Sequence, residues 1–127
     1  MDTFYLSGDL WQVKKVDPYN PELVDRTGKL CLATTNPMHR CVYLSDRLSG
    51  TLFTRVLIHE LGHCAMISFD LLNEIHQMVK PEYWIDAEEF ICNFIADYGQ
   101  QIFQTAYQLF GEDALLYIPS EIEKMIA

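Results

Sequence analysis

His59, Glu60 and His63 form a His-Glu-x-x-His motif, and they are the residues of this chain best suited to chemistry. Residues four apart lie on one face of an α-helix, with about 5–6 Å between their Cβ atoms. Two imidazoles placed in this way can both bind one Zn²⁺ ion through nitrogen. A glutamate directly after the first histidine reaches the water beside the metal and can act as its general base. The motif therefore predicts His59 and His63 as zinc ligands and Glu60 as the catalytic residue of a hydrolase.

The residues around the motif favour a buried helix over a solvent-exposed one. Between Arg55 and Asp70, the motif itself supplies the only charged or titratable side chains apart from one cysteine. A surface helix with two solvated histidines would carry more charge, so a metal site is the better interpretation. Gly62 costs about 1 kcal/mol in a helix interior relative to alanine. Its presence predicts close packing of this helix against another element.

A catalytic zinc site needs a third protein ligand and a position that stays open to water. At about 100° per residue, one stripe of the helix predicted after Pro81 carries the polar residues Asp86, Glu89, Asn93 and Asp97. We take Glu89 as the first choice for the third ligand, Glu88 as the runner-up and Asp86 as the third candidate. Asn93 lies one turn after Glu89 and is expected to hydrogen-bond a liganding histidine.

The elements that must hold these residues begin with a small sheet over about residues 10–45. Apolar residues in short runs bounded by turn residues predict strands at residues 10–16, 29–35 and 40–44. Residues 1–9 are expected to be a loose entry. Short strands that follow one another closely favour an antiparallel sheet.

Helices are predicted for most of the remaining chain. The active-site helix should cover about residues 50–67, with Ser49 as its N-cap. After a short helical or irregular connection, the glutamate helix should cover about residues 82–98 and continue to about residue 110. Gly111 is expected to close it. Beyond it, the sequence is ambiguous between strand and helix up to residue 118, and Pro119 opens a final short helix.

The composition excludes several function classes. The net charge is −9, and residues 82–127 carry nine acidic residues against one basic residue, which argues against direct binding of nucleic acid. That acidic region could bind a basic protein, but a solvated surface is the simpler interpretation. The chain has no run of 18 apolar residues that could span a membrane, and no signal peptide is visible. We therefore expect a cytoplasmic protein whose cysteines are reduced thiols. No two of the four cysteines form a C-x-x-C pair; they are Cys31, Cys41, Cys64 and Cys92.

Three stretches carry a family resemblance. They are His59-Glu60-Leu61-Gly62-His63, then Asp-Leu-Leu-Asn-Glu-Ile-His at residues 70–76, then Glu-Phe-Ile-Cys-Asn at residues 89–93. Together they resemble the ImmA/IrrE family of small bacterial and phage-associated metallopeptidases over about residues 28–100. The length of the chain predicts one domain over residues 1–127, and the resemblance implies a zincin-like domain of α+β class in which the sheet precedes the active-site helix.

The same resemblance implies a gluzincin-type site with Zn²⁺ as its cofactor. His59, His63 and Glu89 would be the metal ligands, and Glu60 would be the general base. The implied substrate is a protein, with a helix-turn-helix repressor or another DNA-binding regulator as one class.

Two functions stay open at this point. The first is a zinc-dependent endopeptidase, and the alternative is a non-catalytic binding or inhibitory protein of phage origin that uses the same scaffold and an acidic surface. Glu60 favours the enzyme, because a purely structural zinc site has no use for a general base. A group that would stabilise the oxyanion is not identified by the sequence, and His76, Tyr83 and Tyr98 are the candidates.

Overall fold

Among the residues that the structure describes, four strands precede the main helices, in an α+β arrangement that confirms the predicted fold class. The structure is a computed structural model and describes residues 2–115. The strands are β1 (Asp2–Leu6), β2 (Asp9–Val16), β3 (Ala33–Asn36) and β4 (Cys41–Ser45). They form one sheet in the order β1-β2-β4-β3, so β1 and β3 lie at its edges.

The prediction of an antiparallel sheet is wrong at the centre of the sheet. The outer pairs, β1 with β2 and β3 with β4, are antiparallel, but β2 and β4 pair in parallel. A parallel pair needs a crossover connection of a dozen or more residues. Residues 17–40 supply that connection, and β3 within it turns back as the hairpin partner of β4.

The first nine residues are not the loose entry that the sequence suggested. Strand β1 pairs with β2 along its whole length, from Asp2 opposite Val13 to Leu6 opposite Asp9. Ser7 and Gly8 connect the strands and both have positive φ angles, of 49° and 84°. Such a two-residue turn matches the twist of a hairpin, and the Ser-Gly pair was the overlooked signal.

Strand β3 is shorter than predicted because a tight loop occupies the start of the predicted segment. Residues 24–30, called the 24–30 loop below, begin and end at an isolated bridge between Val24 and Leu30. The Asp25 carboxylate accepts hydrogen bonds from the Thr27 hydroxyl at 2.6 Å and from the backbone N–H groups of Thr27 and Lys29. The Thr27 hydroxyl and then the Lys29 amide hold the pKa of Asp25 well below its usual range. Such local bonds compete with a strand ladder.

Helix α1 (Gly50–Ser68) confirms the predicted active-site helix almost to the residue. Ser49 is its N-cap, but the cap bond comes from the backbone, since the Phe53 N–H donates to the Ser49 carbonyl at 3.2 Å. The helix packs on the sheet around Trp11, which is fully buried and whose indole N–H donates to the Ser68 hydroxyl at 2.7 Å. The core there includes the buried residues Ala33, Val42, Leu44, Leu48 and Cys64.

The later helices follow the predicted pattern with one interruption. Helix α2 (Leu72–Met78) forms the connection, and α3 (Trp84–Phe94) follows a 3-10 turn that begins at Pro81. A π-helical stretch (Ile95–Gly99) comes between α3 and α4 (Gln100–Phe110), which ends at Gly111 with φ of 68°. Among the described residues, no helix is both long and apolar enough to cross a membrane.

The chain divides into two compact units between Asp97 and Tyr98. The first unit contains the sheet and α1 to α3, and the second contains α4 and the 3-10 turn Gly111–Leu115. The single domain predicted for residues 1–127 stays a prediction. The final helix predicted from Pro119 lies outside the described residues.

Helices α1 and α3 approach each other closely at Gly62. A Cβ atom placed on Gly62 would lie 3.2 Å from Sγ and 3.5 Å from Cα of Cys92, and both residues are buried. This separation confirms the close packing that the glycine predicted.

Replacing Gly62 with valine should lower the free energy of unfolding by about 1–3 kcal/mol, because the added atoms must push Cys92 and α3 away. The matched control is Ala65→Val on the same helix, where the new methyl groups point toward a cavity of about 1020 Å³. Urea unfolding followed by circular dichroism measures both variants. Equal effects of the two substitutions would show that the contact at Gly62 is not tight.

Candidate metal centre

Helices α1 and α3 bring together the three residues that were the first choice as metal ligands. The Nε2 atoms of His59 and His63 lie 3.3 Å apart. Oε2 of Glu89 lies 3.1 Å from Nε2 of His59, and Oε1 lies 3.2 Å from Nε2 of His63. The structure therefore places the four atoms around a common point, with each imidazole facing one carboxylate oxygen.

The spacing of these atoms fits a zinc ion. Nitrogen and oxygen ligands lie about 2.0–2.1 Å from zinc, so two ligands at a tetrahedral angle are roughly 3.3 Å apart. The three separations in the structure, 3.1, 3.2 and 3.3 Å, agree with that value. Within the described part of the chain, His59, His63 and Glu89 are the cluster whose ligand atoms are close enough to share a metal ion.

The charges of the cluster also suit a cation. The hydrogen bonds of Glu89 with His59 and then His63 hold the pKa of its carboxyl well below the usual range, so Glu89 is an anion. The pKa of His59 is shifted in the opposite direction, because its hydrogen bond with Glu89 raises it. The cluster thus attracts a positive charge, and a metal ion would compete with the proton for the same nitrogen atom.

Glu60 lies on α1 between the two histidines and is buried, with 6 % of its surface exposed. The Thr35 hydroxyl of β3 donates to its Oε2 at 2.6 Å and lies 3.3 Å from its backbone oxygen. Thr35 therefore holds the carboxylate in one orientation, at the edge strand of the sheet. The sequence identified Glu60, but nothing in the pattern pointed to Thr35.

A cleft of about 980 Å³ contains the cluster and Glu60. Its walls come from α1, α3, the 24–30 loop and the edge strand β3. The residues of β3 that line it are Ala33, Thr34, Thr35 and Asn36.

The two other candidates for the third ligand are not part of the cluster. Glu88 is buried with 5 % of its surface exposed, and its Oε1 accepts a hydrogen bond from Nη1 of Arg26 at 3.1 Å. Its Oε2 lies 3.2 Å from Nε2 of His76. One helical step of about 100° separates Glu88 from Glu89, so the two side chains face different partners. Asp86 is exposed on α3.

Asn93 interacts with His59 closely enough to help raise the pKa of that histidine, but no hydrogen bond of good geometry joins the two side chains. Oδ1 of Asn93 accepts instead from Nη2 of Arg55 at 3.2 Å, and Arg55 also binds Asp97 through Nε at 2.7 Å. Nδ1 of His59 is buried without a hydrogen-bond partner among the described residues. The helical pattern gave no indication that the guanidinium of Arg55 would bind the Asn93 side chain.

The candidates for an oxyanion-stabilising group are placed as follows. His76 stacks on Trp84, with ring centroids 4.2 Å apart, and pairs with Glu88. Tyr83 is half exposed at the start of α3, and neither residue lines the cleft. Tyr98 belongs to the second compact unit. These positions do not assign the oxyanion-stabilising role to any of the three residues.

A comparison with models of known protein families finds no match, and a comparison with curated proteins finds none either. The function is therefore argued from the geometry of the site.

If the cluster binds zinc, replacing Glu89 with alanine should abolish stable binding, because it would remove one of the three candidate ligands. The loss should exceed the ten- to hundredfold typical of residues that only support a ligand. Glu88→Ala should weaken binding less, and Asp86→Ala, an exposed carboxylate of the same helix, is the control. Elemental analysis after dialysis and competition with a chromophoric chelator measure the effects. A larger loss of zinc affinity in Glu88→Ala than in Glu89→Ala would show that Glu88, and not Glu89, is the third ligand.

Proposed function

We propose that this protein is a zinc-dependent endopeptidase that hydrolyses a peptide bond in a protein substrate. The observation that carries the proposal is the presence of a buried carboxylate, Glu60, in the same cleft as His59, His63 and Glu89. A metal site with a purely structural role has no use for such a group. The resemblance to the ImmA/IrrE metallopeptidases at these same residues supports the proposal.

The roles of the residues follow from their chemistry. His59, His63 and Glu89 would hold zinc, which polarises the scissile carbonyl and makes water more acidic when it is bound. Glu60 takes up the proton that a water molecule loses as its oxygen bonds to the carbonyl carbon. Glu60 then delivers that proton to the leaving nitrogen as the C–N bond breaks. Among the described residues, the hydrogen bond to this carboxylate goes to Oε2, so Oε1 is the oxygen available for the proton.

The edge strand β3 supports an extended polypeptide as the substrate. It is the last strand of the sheet, and its residues line the cleft beside Glu60. An extended segment can add to such an edge through backbone hydrogen bonds. Thr35 would link substrate binding with catalysis, because it belongs to the edge strand and its hydroxyl holds the carboxylate of Glu60.

The proposed setting is the cytoplasm, with a DNA-binding regulator as one class of substrate. All four cysteines are free thiols, and three of them are buried, which fits a reducing compartment. The regulator comes from the family resemblance, and the net charge of −9 is compatible with a basic protein partner.

Replacing Glu60 with glutamine should lower peptide hydrolysis by about 10²- to 10⁴-fold, the usual contribution of a general base, while zinc binding is retained. The assay uses zinc-loaded protein and a peptide library, with cleavage followed by mass spectrometry. Glu74→Gln, the same chemical change on the exposed side of α2, is the control.

Two results would contradict the proposal. Full activity of Glu60→Gln would exclude Glu60 as the base. A zinc-loaded wild-type protein that cleaves neither the library nor a DNA-binding regulator would favour the non-catalytic binding protein.

A further inference from the structure

Arg26 reaches from the 24–30 loop to two adjacent glutamates of α3. Its Nη1 donates to Oε1 of Glu88 at 3.1 Å, and its Nη2 lies 3.6 Å from Oε1 of Glu89. The same Oε1 atom of Glu89 faces His63 at 3.2 Å. One guanidinium thus contacts a candidate metal ligand and that ligand's neighbour in sequence.

The two contacts of Arg26 differ in kind. The bond to Glu88 has the length of a hydrogen bond, and Glu88 is the more buried glutamate, so most of the guanidinium charge is balanced there. The contact with Glu89 is longer than a hydrogen bond. It can attract Oε1 toward one orientation and still leave the lone pairs of that atom available to a cation.

The loop that carries Arg26 is itself well braced. The hydrogen bonds to the Asp25 carboxylate, described above, tie together residues on both sides of Arg26. The Sγ atom of Cys31 adds a further contact with Asp25 at 3.2 Å. Because the backbone on either side is held in this way, Arg26 loses little additional backbone freedom when its side chain contacts α3.

We infer that Arg26 is a positioning residue for Glu89, and that it increases the affinity of the site for zinc. The side chain of Glu89 is 39 % exposed. A glutamate that becomes ordered on metal binding loses rotamer freedom, and this loss opposes binding. Arg26 reduces this loss on metal binding by holding the carboxylate toward α1 beforehand. This inference rests on the proposed metal centre, but it does not depend on any peptidase activity.

A simpler role for Arg26 is compensation of the buried charge of Glu88, and the test separates the two roles. Zinc affinity is measured by competition with a chromophoric chelator for Arg26→Ala and for the double variant Arg26→Ala/Glu88→Gln. The double variant removes both charges and keeps a polar group for His76. Lys29→Ala, which removes a positive charge from the same loop, is the control.

If Arg26 positions Glu89, both variants should bind zinc about tenfold or more weakly than the wild type. Lys29→Ala should remain within about threefold, below the effect of a supporting residue. The cobalt-substituted double variant should also have altered ligand-field bands, which a purely stabilising residue would not affect.

Recovery of wild-type zinc affinity in the double variant would overturn the inference and leave Arg26 as a partner of Glu88 only. If Arg26→Ala does not fold, the double variant decides, because it contains no uncompensated buried charge. A wild-type protein without affinity for zinc would instead overturn the proposed metal centre, which distinguishes that failure from the failure of this inference.

Discussion

The close approach of two helices at Gly62 and Cys92 is the contact on which the candidate site depends. Gly62 directly precedes His63 on α1, and Cys92 lies three residues after Glu89 on α3. The atoms that determine the separation of the helices are therefore close neighbours of the atoms that would bind a metal. A larger residue at position 62 would move the carboxylate away from the imidazoles, and a shift of 1 Å is comparable to half of a zinc–ligand bond of about 2 Å.

A second constraint is that the carboxylates of Glu60, Glu88 and Glu89 share one cleft. Burying a charge without a partner is costly, and the shortest contacts of these groups are with different partners, although Arg26 also reaches Glu89 at 3.6 Å. Glu60 accepts from the Thr35 hydroxyl, Glu88 pairs with a guanidinium, and Glu89 faces two imidazoles. These partners favour different roles for the carboxylates. The neutral Thr35 hydroxyl leaves one oxygen of Glu60 available to a proton, whereas the ion pair with Arg26 occupies Oε1 of Glu88. The partners, rather than the glutamates themselves, distinguish the proposed base from the proposed ligand.

The success of sequence-based prediction depended on how local each feature is. Spacing along one helix was sufficient to place His59, Glu60 and His63 together, and it favoured Glu89 over Glu88 by helical phase. Other features that join distant segments were missed. The parallel pairing of β2 with β4 depends on a crossover of more than twenty residues, and the pattern of each strand alone gives no direction. Arg26 and Arg55 reach α3 from other elements, and no spacing rule connects an arginine with a glutamate 62 residues away.

This difference in locality has a consequence for how the site assembles. His59 and His63 are one helical turn apart, so any partly folded chain that contains α1 can present both. Glu89 joins them only when α3 packs against Gly62 and the 24–30 loop reaches across to the same helix. A cation bound by all three residues would therefore prefer the folded state and stabilise the packing of α1 on α3. In this way the complete site depends on tertiary structure, although the motif that reveals it is contained in five consecutive residues of a single helix.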